Sequence, residues 1–185
     1  IGNDFEKDAL SILKMKKNVR IIKSKNYEIF SKNNLISNMH FALAQTPDDK
    51  KFTISDFKIV SKVRPSRETF ENLIFAFNIC RFVKSNAIVL TNDSATVGIG
   101  SGQPSRLDSC EIAVSKMKKF KHNTENLVAA SDAFFPFVDG VEKLVQSGVK
   151  AIIQPFGSIR DKEIIRFANN TNTVLIFSKT RHFRH

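Results

Sequence analysis

Residues 85–108 read SNAIVLTNDSATVGIGSGQPSRLD, and this stretch decides the fold. Its two short apolar runs, 87–90 and 95–99, flank an Asn-Asp turn, a pattern that predicts a β-hairpin. A loop with three glycines then leads to Ser105, a residue typical of a helix N-cap. Asp108 follows in the first helical turn, where the helix dipole favours negative charge. The stretch therefore predicts a strand, a glycine-rich loop and a helix.

The glycine-rich loop has two interpretations. Glycines ahead of a helix let a ligand approach the backbone, whose free N–H groups then point toward it. Arg106 adds a planar donor for an anion or a carbonyl, so this interpretation favours a polar, anionic small ligand. However, Gly98, Gly100 and Gly102 match neither the GxGxxG dinucleotide fingerprint nor a P-loop. A tight turn without a ligand therefore stays open as the alternative.

The composition is that of a globular protein. The chain has 185 residues, of which 42% are hydrophobic, enough for a substantial core. Lys and Arg outnumber Asp and Glu by 29 to 18, but the lysines are spread along the chain without a basic block. The net charge of +11 therefore predicts neither nucleic-acid nor membrane binding, although an anionic metabolite fits it.

The cysteines and the apolar runs indicate the compartment. Cys80 and Cys110 lie far apart in a chain without a signal-like start, which predicts free thiols in a reducing environment. The apolar stretches end well before the roughly 18 residues that a membrane span needs. We therefore expect a soluble, cytoplasmic protein.

Helix and strand patterns alternate along the rest of the chain. Asp4 is predicted to cap a first helix, and Ser66 to begin a long helix that reaches Lys84. Further strands are predicted at 19–22, 39–44, 57–61, 127–130, 149–154 and 174–177, and further helices at 138–147 and 161–169. From Val128 onward, strands and helices alternate with short loops, which is typical of right-handed crossovers and a partly parallel sheet. The predicted fold class is α/β.

Ligands of open α/β sheets bind beyond the carboxyl ends of the strands. The loops 98–106, 131–137 and 156–160 all follow predicted strands, so we expect them to meet at one cleft. The three phenylalanines around Pro136 are either core residues or the lining of a cleft for a flat ring. Arg181, in the basic tail after the last strand, is either solvated or bound to a phosphate.

Histidine and cysteine spacing argues against zinc. The four histidines are His40, His122, His182 and His185. They stand at no metal-ligand spacing with the two cysteines, and the Cys-x-x-Cys and His-x-Glu motifs of zinc deaminases do not occur. His40 is expected to be a strand residue. The residues alone thus predict an α/β ligand-binding protein without zinc.

Five blocks of sequence, in order, resemble the C-terminal part of the bacterial bifunctional purine biosynthesis proteins, the AICAR transformylase/IMP cyclohydrolase family. They are KSNAIV (84–89), TVGIGSGQPSR (96–106), SDAFFPF (131–137), QPFGSIRD (154–161) and RHFRH (181–185). The resemblance is close from about Val60 onward and looser over 4–49. It implies formyl transfer from 10-formyltetrahydrofolate to the 5-amino group of AICAR, the imidazole carboxamide ribonucleotide. The implied fold is a cytidine-deaminase-like three-layer α/β/α structure with a mixed sheet and no deaminase zinc.

The resemblance also implies residue roles. Phe134 would pack against the imidazole ring of AICAR and Arg181 would hold its phosphate. The full set of implied AICAR contacts is Asn86, Arg106, Phe134 and Arg181, and the implied folate contacts are Leu107, Asp139, Ser158 and Ile159. Residues 83–87, with Asp132 and the tail, resemble the potassium site of some members. Because family members build the active site across a two-fold axis, a homodimer is implied.

The sequence departs from the family pattern at several points. The resemblance implies that the catalytic Lys-His pair and the cyclohydrolase domain belong to an upstream segment absent from this sequence. An Arg-Tyr pair that helps family members grip the nucleotide phosphate is missing too. Ser37-Asn38 stands where many bacterial members have Gly-Gly. We therefore expect residues 1–60 to be N-terminal strands and a helix of the transformylase region, residues 61–185 to be its C-terminal lobe, and the isolated chain to be inactive.

Two alternatives to a transformylase fragment stay open. One is a stand-alone nucleotide-binding module without catalysis. The other is a basic nucleic-acid-binding domain, which a steep salt dependence of binding would identify.

Overall fold

The structure is a computed structural model that describes residues 1–24, 34–120 and 124–185, so His122 lies outside the described residues. The chain divides into two compact units, Ile1–Asp49 and Lys50–His185. This division falls before the expected boundary at residue 60, because the strand Phe57–Ile59 pairs with the last strand of the chain. All the predicted site residues belong to the second unit.

The first unit contains a helix and a hairpin. Helix α1 spans Lys7–Lys14, and strands β1 (Asn34–Ser37) and β2 (Ala42–Gln45) pair antiparallel. The strand predicted at 39–44 begins later because Asn38 closes the turn: its side-chain oxygen accepts the backbone N–H groups of His40 and Phe41 at 2.9 and 3.0 Å. His40 is therefore a turn residue, and its expected place in a strand was wrong.

Two other predictions in this unit were wrong. Asp4 does not cap α1, because its carboxylate accepts the N–H of Phe5 and the N-cap position belongs to Glu6. The strand predicted at 19–22 does not form, since the chain there makes only an isolated bridge between Gly2 and Lys23. An apolar run needs a neighbouring ladder to become a strand, and this run has none among the described residues.

The second unit is built on a mixed six-stranded sheet with the order β3-β8-β7-β6-β4-β5. The strands are β3 (Phe57–Ile59), β4 (Ile88–Asn92), β5 (Ala95–Gly100), β6 (Val128–Ser131), β7 (Ala151–Pro155) and β8 (Val174–Ser178). Strands β6, β7 and β8 run parallel, while β3, β4 and β5 pair antiparallel with their neighbours. The α/β class and the hairpin of the opening stretch are thus confirmed.

Helices cover both faces of this sheet. They are α2 (Arg67–Cys80), α3 (Arg106–Lys119), α4 (Val138–Gln146) and α5 (Asp161–Asn170). Helix α2 packs Leu73 and Phe77 against one face, where Ile153 lies, and the other three helices pack against the face that holds Ile152. Because successive strand residues point to opposite faces, β7 contributes to both cores. Among the described residues, every helix is too short or too polar to cross a bilayer.

Helices α2 and α3 begin at their predicted caps. The hydroxyl of Ser66 accepts the N–H of Thr69 at 3.1 Å, and that of Ser105 accepts the N–H of Leu107 at 3.2 Å. Helix α2 ends at Cys80 rather than at the expected Lys84, because the chain then leaves for the loop that begins the site.

The glycines of β5 serve packing rather than a ligand. A methyl group on Gly98 would overlap the carbonyl oxygen of Ala113, and one on Gly100 would overlap that of Ser109. Strand β5 and helix α3 therefore lie in direct backbone contact. The turn itself depends on Gly102, which has φ +68° and donates its N–H to the Lys84 carbonyl at 2.8 Å.

Candidate functional site

The predicted loops emerge from one edge of the six-stranded sheet. Register places Ile88, at the start of β4, beside both Gly100 at the end of β5 and Ser131 at the end of β6. Strands β6, β7 and β8 are parallel and end at this same edge. The segments before β4 and after β5, β6, β7 and β8 therefore all lie at this edge, as do the three predicted loops 98–106, 131–137 and 156–160.

Arg106, the first residue of α3, is fixed at this edge by three acceptors. Its guanidinium donates to an Asp132 carboxylate oxygen at 2.7 Å, to the Ser131 hydroxyl at 3.0 Å and to the Phe134 carbonyl at 3.2 Å. The Arg106 side chain is 10% exposed and that of Asp132 is completely buried. These bonds use three of the five N–H groups of the guanidinium and tie α3 to the loop after β6.

Asp132 connects three separate parts of the chain. Its second carboxylate oxygen accepts the hydroxyl of Ser85 at 2.6 Å, and its backbone carbonyl accepts the N–H of His182 at 2.9 Å. A potassium ion at this carboxylate would have to share it with Arg106, so the charge of Asp132 is balanced without a cation. The described residues contain no group of three or more His, Cys, Asp or Glu side chains placed to hold a metal ion.

Asn86 fixes the glycine-rich loop. Its side-chain amide donates to the backbone carbonyls of Gln103 and Pro104 at 2.9 and 3.0 Å. The backbone carbonyl of Asn86 accepts the Ser109 hydroxyl at 2.8 Å. The loop and the start of α3 are thus held against the start of β4.

A cleft of about 400 Å³ opens beside these groups. Its lining includes four of the predicted site residues, two from the AICAR set and two from the folate set. The lining residues are Asn86, Pro104, Ser105, Arg106, Leu107, Phe135, Pro136, Phe137 and Asp139. Phe135 is buried in the core, whereas Phe137 is 52% exposed in the cleft, and the binding of a flat ring there stays a prediction.

Arg181 lies next to the other aromatic residue of this loop. Its guanidinium carbon is 5.2 Å from the centroid of the Phe134 ring, a cation–π distance. Arg181 is exposed and forms no hydrogen bond or ion pair with any described residue. Its N–H groups are therefore free to bind an anion, in contrast to those of Arg106.

The backbone of the tail that carries Arg181 is anchored, although His182 is the only one of residues 181–185 that is buried. His182 is 1% exposed, and its ring lies 4.5 Å from the ring of Phe77 on α2. The Ser85 N–H also donates to the Arg184 carbonyl at 2.8 Å. These contacts fix the backbone on both sides of Arg181.

Two members of the predicted folate set lie outside the cleft lining. Ile159 is fully exposed, and the Ser158 hydroxyl accepts the N–H of Arg160 at 3.1 Å. Their loop approaches the cleft through Arg160, whose guanidinium carbon lies 4.8 Å from the centroid of the Phe137 ring. The part of Ser158 and Ile159 in binding stays a prediction.

Sequence reasoning missed Ser85, Ser131 and Arg160. Serine gives no chemical signal by itself, but Ser131 ends a buried strand, and a small polar residue at that position is a signal that could have been used. The contact of Arg160 with Phe137 could not be predicted from the sequence, because only the tertiary fold brings the two residues together.

Neither cysteine provides a nucleophile at neutral pH. Both are free, as predicted, and both are buried. Burial raises the pKa of the Cys110 thiol to about 12, against an opposing effect of the nearby Arg106 charge. Burial also raises the pKa of Cys80, and the negative charge of Asp132 adds to this rise. Both thiols therefore stay protonated.

These features define an α/β protein with a cleft of small-molecule size at the carboxyl edge of its sheet, lined in part by aromatic residues, and with a free arginine beside Phe134 at the same edge.

Comparison with known proteins gives the family. The model of the AICARFT/IMPCHase bienzyme family matches residues 1–116. The chain is 42% identical to the bifunctional purine biosynthesis protein PurH of Leptospira biflexa and to that of Persephonella marina, and 43% identical to that of Fusobacterium nucleatum. Each alignment covers 100% of this chain and 36% of the relative. This chain therefore belongs to the AICARFT/IMPCHase bienzyme family, and it spans 36% of the length of these curated relatives.

Similarity to a solved structure is weak. A diaminohydroxyphosphoribosylaminopyrimidine deaminase/5-amino-6-(5-phosphoribosylamino)uracil reductase from Thermotoga maritima matches with a TM-score of 0.35 and 14% identity, covering 58% of this chain and 34% of that one. So small a likeness carries no argument about fold or activity.

Proposed function

We propose that this chain forms the ribonucleotide-binding part of an AICAR formyltransferase, which transfers a formyl group from 10-formyltetrahydrofolate to AICAR in purine biosynthesis. The observation that carries the proposal is the free guanidinium of Arg181 beside Phe134 at the strand edge. Membership of the bienzyme family supports it. A cation next to an aromatic ring fits a ligand that combines a phosphate with a flat heterocycle.

Each proposed AICAR contact has a distinct task. Arg181 binds the phosphate with charge-assisted hydrogen bonds, and Phe134 packs against the imidazole ring. Arg106 and Asn86 both line the cleft. Arg106 presents its remaining N–H groups to the carboxamide, and Asn86 presents its side-chain carbonyl. Because Asp132 and Ser131 already hold Arg106, it needs little reorganisation when the ligand arrives.

The cleft beyond the nucleotide is the proposed place for folate. Leu107 and Asp139 line it together with the exposed Phe137 ring, which offers an apolar surface to a flat pterin. In the reaction, the 5-amino nitrogen of AICAR attacks the formyl carbon, the bond from that carbon to N10 of folate breaks, and N10 gains the proton that the amine loses. Described residues of this cleft orient the two reactants for this step.

We extend the proposal to the remaining implied properties. The mixed sheet with helices on both faces is compatible with cytidine-deaminase-like layering. A homodimer and a potassium ion near Asp132 follow from the resemblance alone, and a cytoplasmic location follows from the free cysteines and the short apolar runs. Light scattering at high protein concentration tests the dimer, and a purely monomeric mass would contradict it.

Calorimetric titration with AICAR tests the nucleotide site. We expect the wild-type chain to bind AICAR, and Arg181→Ala to lose about 1.5 to 3 kcal/mol of binding free energy, the usual contribution of hydrogen bonds to a charged group. The matched control is Arg67→Ala, which also removes a surface arginine, here one paired with Glu71 at the start of α2. Equal AICAR affinity in wild type and Arg181→Ala would overturn the proposal.

A further inference from the structure

The guanidinium of Arg181 lies between two surfaces. The Phe134 ring is one, with 5.2 Å between the guanidinium carbon and the ring centroid. The other is the backbone of Gly157: a methyl group built on its Cα would lie 3.0 Å from an Nη atom of Arg181. Such a distance is tighter than nine in ten real contacts of a Cβ atom, so a side chain at position 157 would displace the guanidinium by a few tenths of an ångström.

Gly157 is itself held in position. Its N–H donates to a carboxylate oxygen of Asp161 at 2.8 Å, and the preceding Phe156 N–H donates to the Ser178 carbonyl at 3.2 Å. The residue has φ +116°, a conformation that side chains with L configuration rarely adopt. The loop after β7 therefore presents a fixed, bare backbone surface to Arg181.

We propose that Gly157 is a positioning residue for Arg181, and that with Phe134 it keeps the guanidinium oriented toward the phosphate of the ligand. This inference rests on the proposed function, in which Arg181 binds that phosphate. A long exposed arginine loses much rotamer freedom when it binds an anion, and a side chain that is already confined loses less. The loop after β7 thus contributes to phosphate affinity without contacting the phosphate.

The test compares alanine substitutions at two glycines. Gly157→Ala adds a methyl group at the Arg181 contact, whereas Gly148→Ala adds one at φ +96°, where nothing lies within 4 Å. Both variants force an L residue into positive φ, so both should lower the melting temperature. In calorimetric titrations with AICAR, we expect about tenfold weaker binding for Gly157→Ala and less than a twofold change for Gly148→Ala.

A double variant distinguishes positioning from general damage. If Gly157 acts through Arg181, Gly157→Ala should weaken AICAR binding in the wild-type background and have no further effect in the Arg181→Ala background. Asp161→Ala, which removes the acceptor of the Gly157 N–H without adding a side chain at 157, should weaken binding several-fold and keeps the test available if Gly157→Ala does not fold.

The outcomes separate this inference from the proposed function. Unchanged affinity in both Gly157→Ala and Asp161→Ala, together with a loss in Arg181→Ala, would overturn the role of Gly157 alone. The same loss from Gly157→Ala with and without Arg181 would also overturn it. If Arg181→Ala bound AICAR as tightly as the wild type does, the proposed function and this inference would both fail.

Discussion

The buried carboxylate of Asp132 has a hydrogen-bond partner at each of its two oxygens. Arg106 and Ser85 occupy its two carboxylate oxygens at 2.7 and 2.6 Å. We predict that Asp132→Asn lowers the free energy of unfolding by about 3 kcal/mol, because it leaves the guanidinium of Arg106 buried without a counter-charge. Urea denaturation measures this change.

The control for Asp132→Asn is an exposed ion pair. Glu111 and Lys143 are 3.3 Å apart with side chains 53% and 40% exposed. Glu111→Gln should therefore change the stability by less than about 1 kcal/mol. Similar small effects from both substitutions would show that the Arg106–Asp132 pair does not hold the site together.

The buried thiols give a pH dependence. An unfolded cysteine titrates near 9.0, whereas burial raises the pKa of folded Cys110 to about 12. Between these values the unfolded state binds fewer protons than the folded state. The contribution of this thiol to the free energy of unfolding is therefore fully present below pH 9 and is lost as pH rises above 9. We predict that melting temperatures fall less steeply from pH 8 to 10 in Cys110→Ala than in wild type. Identical slopes would contradict the buried, protonated state of this thiol.

Individual site residues were predictable only where their chemistry is distinctive. Arg106 at a helix start and Arg181 after a strand are charged residues at positions where α/β sheets bind ligands. The sequence could not show that Arg106 is held by Asp132 while Arg181 is free, since that difference depends on contacts between distant loops.

Among the elements, the β4–β5 hairpin has a two-residue turn. Its register pairs Asn92 with Ala95, so the turn is formed by Asp93 and Ser94 with φ values of 49° and 60°. The sequence located this turn within one residue, at Asn-Asp. Two consecutive positive φ values are typical of a type I′ turn, in which glycine is favoured at the second position.

This turn leads to a stability prediction. Ser94→Gly should raise the free energy of unfolding by about 1 kcal/mol, because glycine adopts positive φ without steric cost. The backbone N–H of Ser94 donates to the Asn72 side chain at 3.3 Å, and a glycine at position 94 retains this hydrogen bond because it keeps the backbone N–H. Ser94→Val is the opposite control and should lower stability, as a β-branched side chain is strongly disfavoured there. Thermal denaturation of both variants checks the pair, and a lower stability for Ser94→Gly would contradict the turn type.

Elements with a strong periodic pattern and a cap were predicted well, and isolated ones were not. Helix α2 combines the Ser66 cap with a long apolar stripe, so its start matched the prediction. The run 19–22 has apolar residues, but no ladder lies beside it in the part of the chain that the structure describes, and it forms no strand. Local sequence does not contain the information about which neighbour a strand finds.

At the scale of the whole molecule, the candidate site forms because five chain segments reach one edge of the sheet. The order of helices and strands after Val128 predicted the parallel part of the sheet and therefore the shared edge. The position of β3 beside β8 was not predictable, since antiparallel pairing of Phe57–Ile59 with the last strand joins residues more than a hundred positions apart. This pairing places β3 in the second unit, which begins at Lys50.

Hydrogen exchange measured by mass spectrometry, with and without AICAR, tests most directly the claim that these segments form one ligand site. We predict that AICAR slows exchange together in 85–87, 101–107, 132–137, 156–160 and 181–184, and leaves the opposite edge of the sheet unchanged. Protection confined to a single segment, or found only away from this edge, would contradict it.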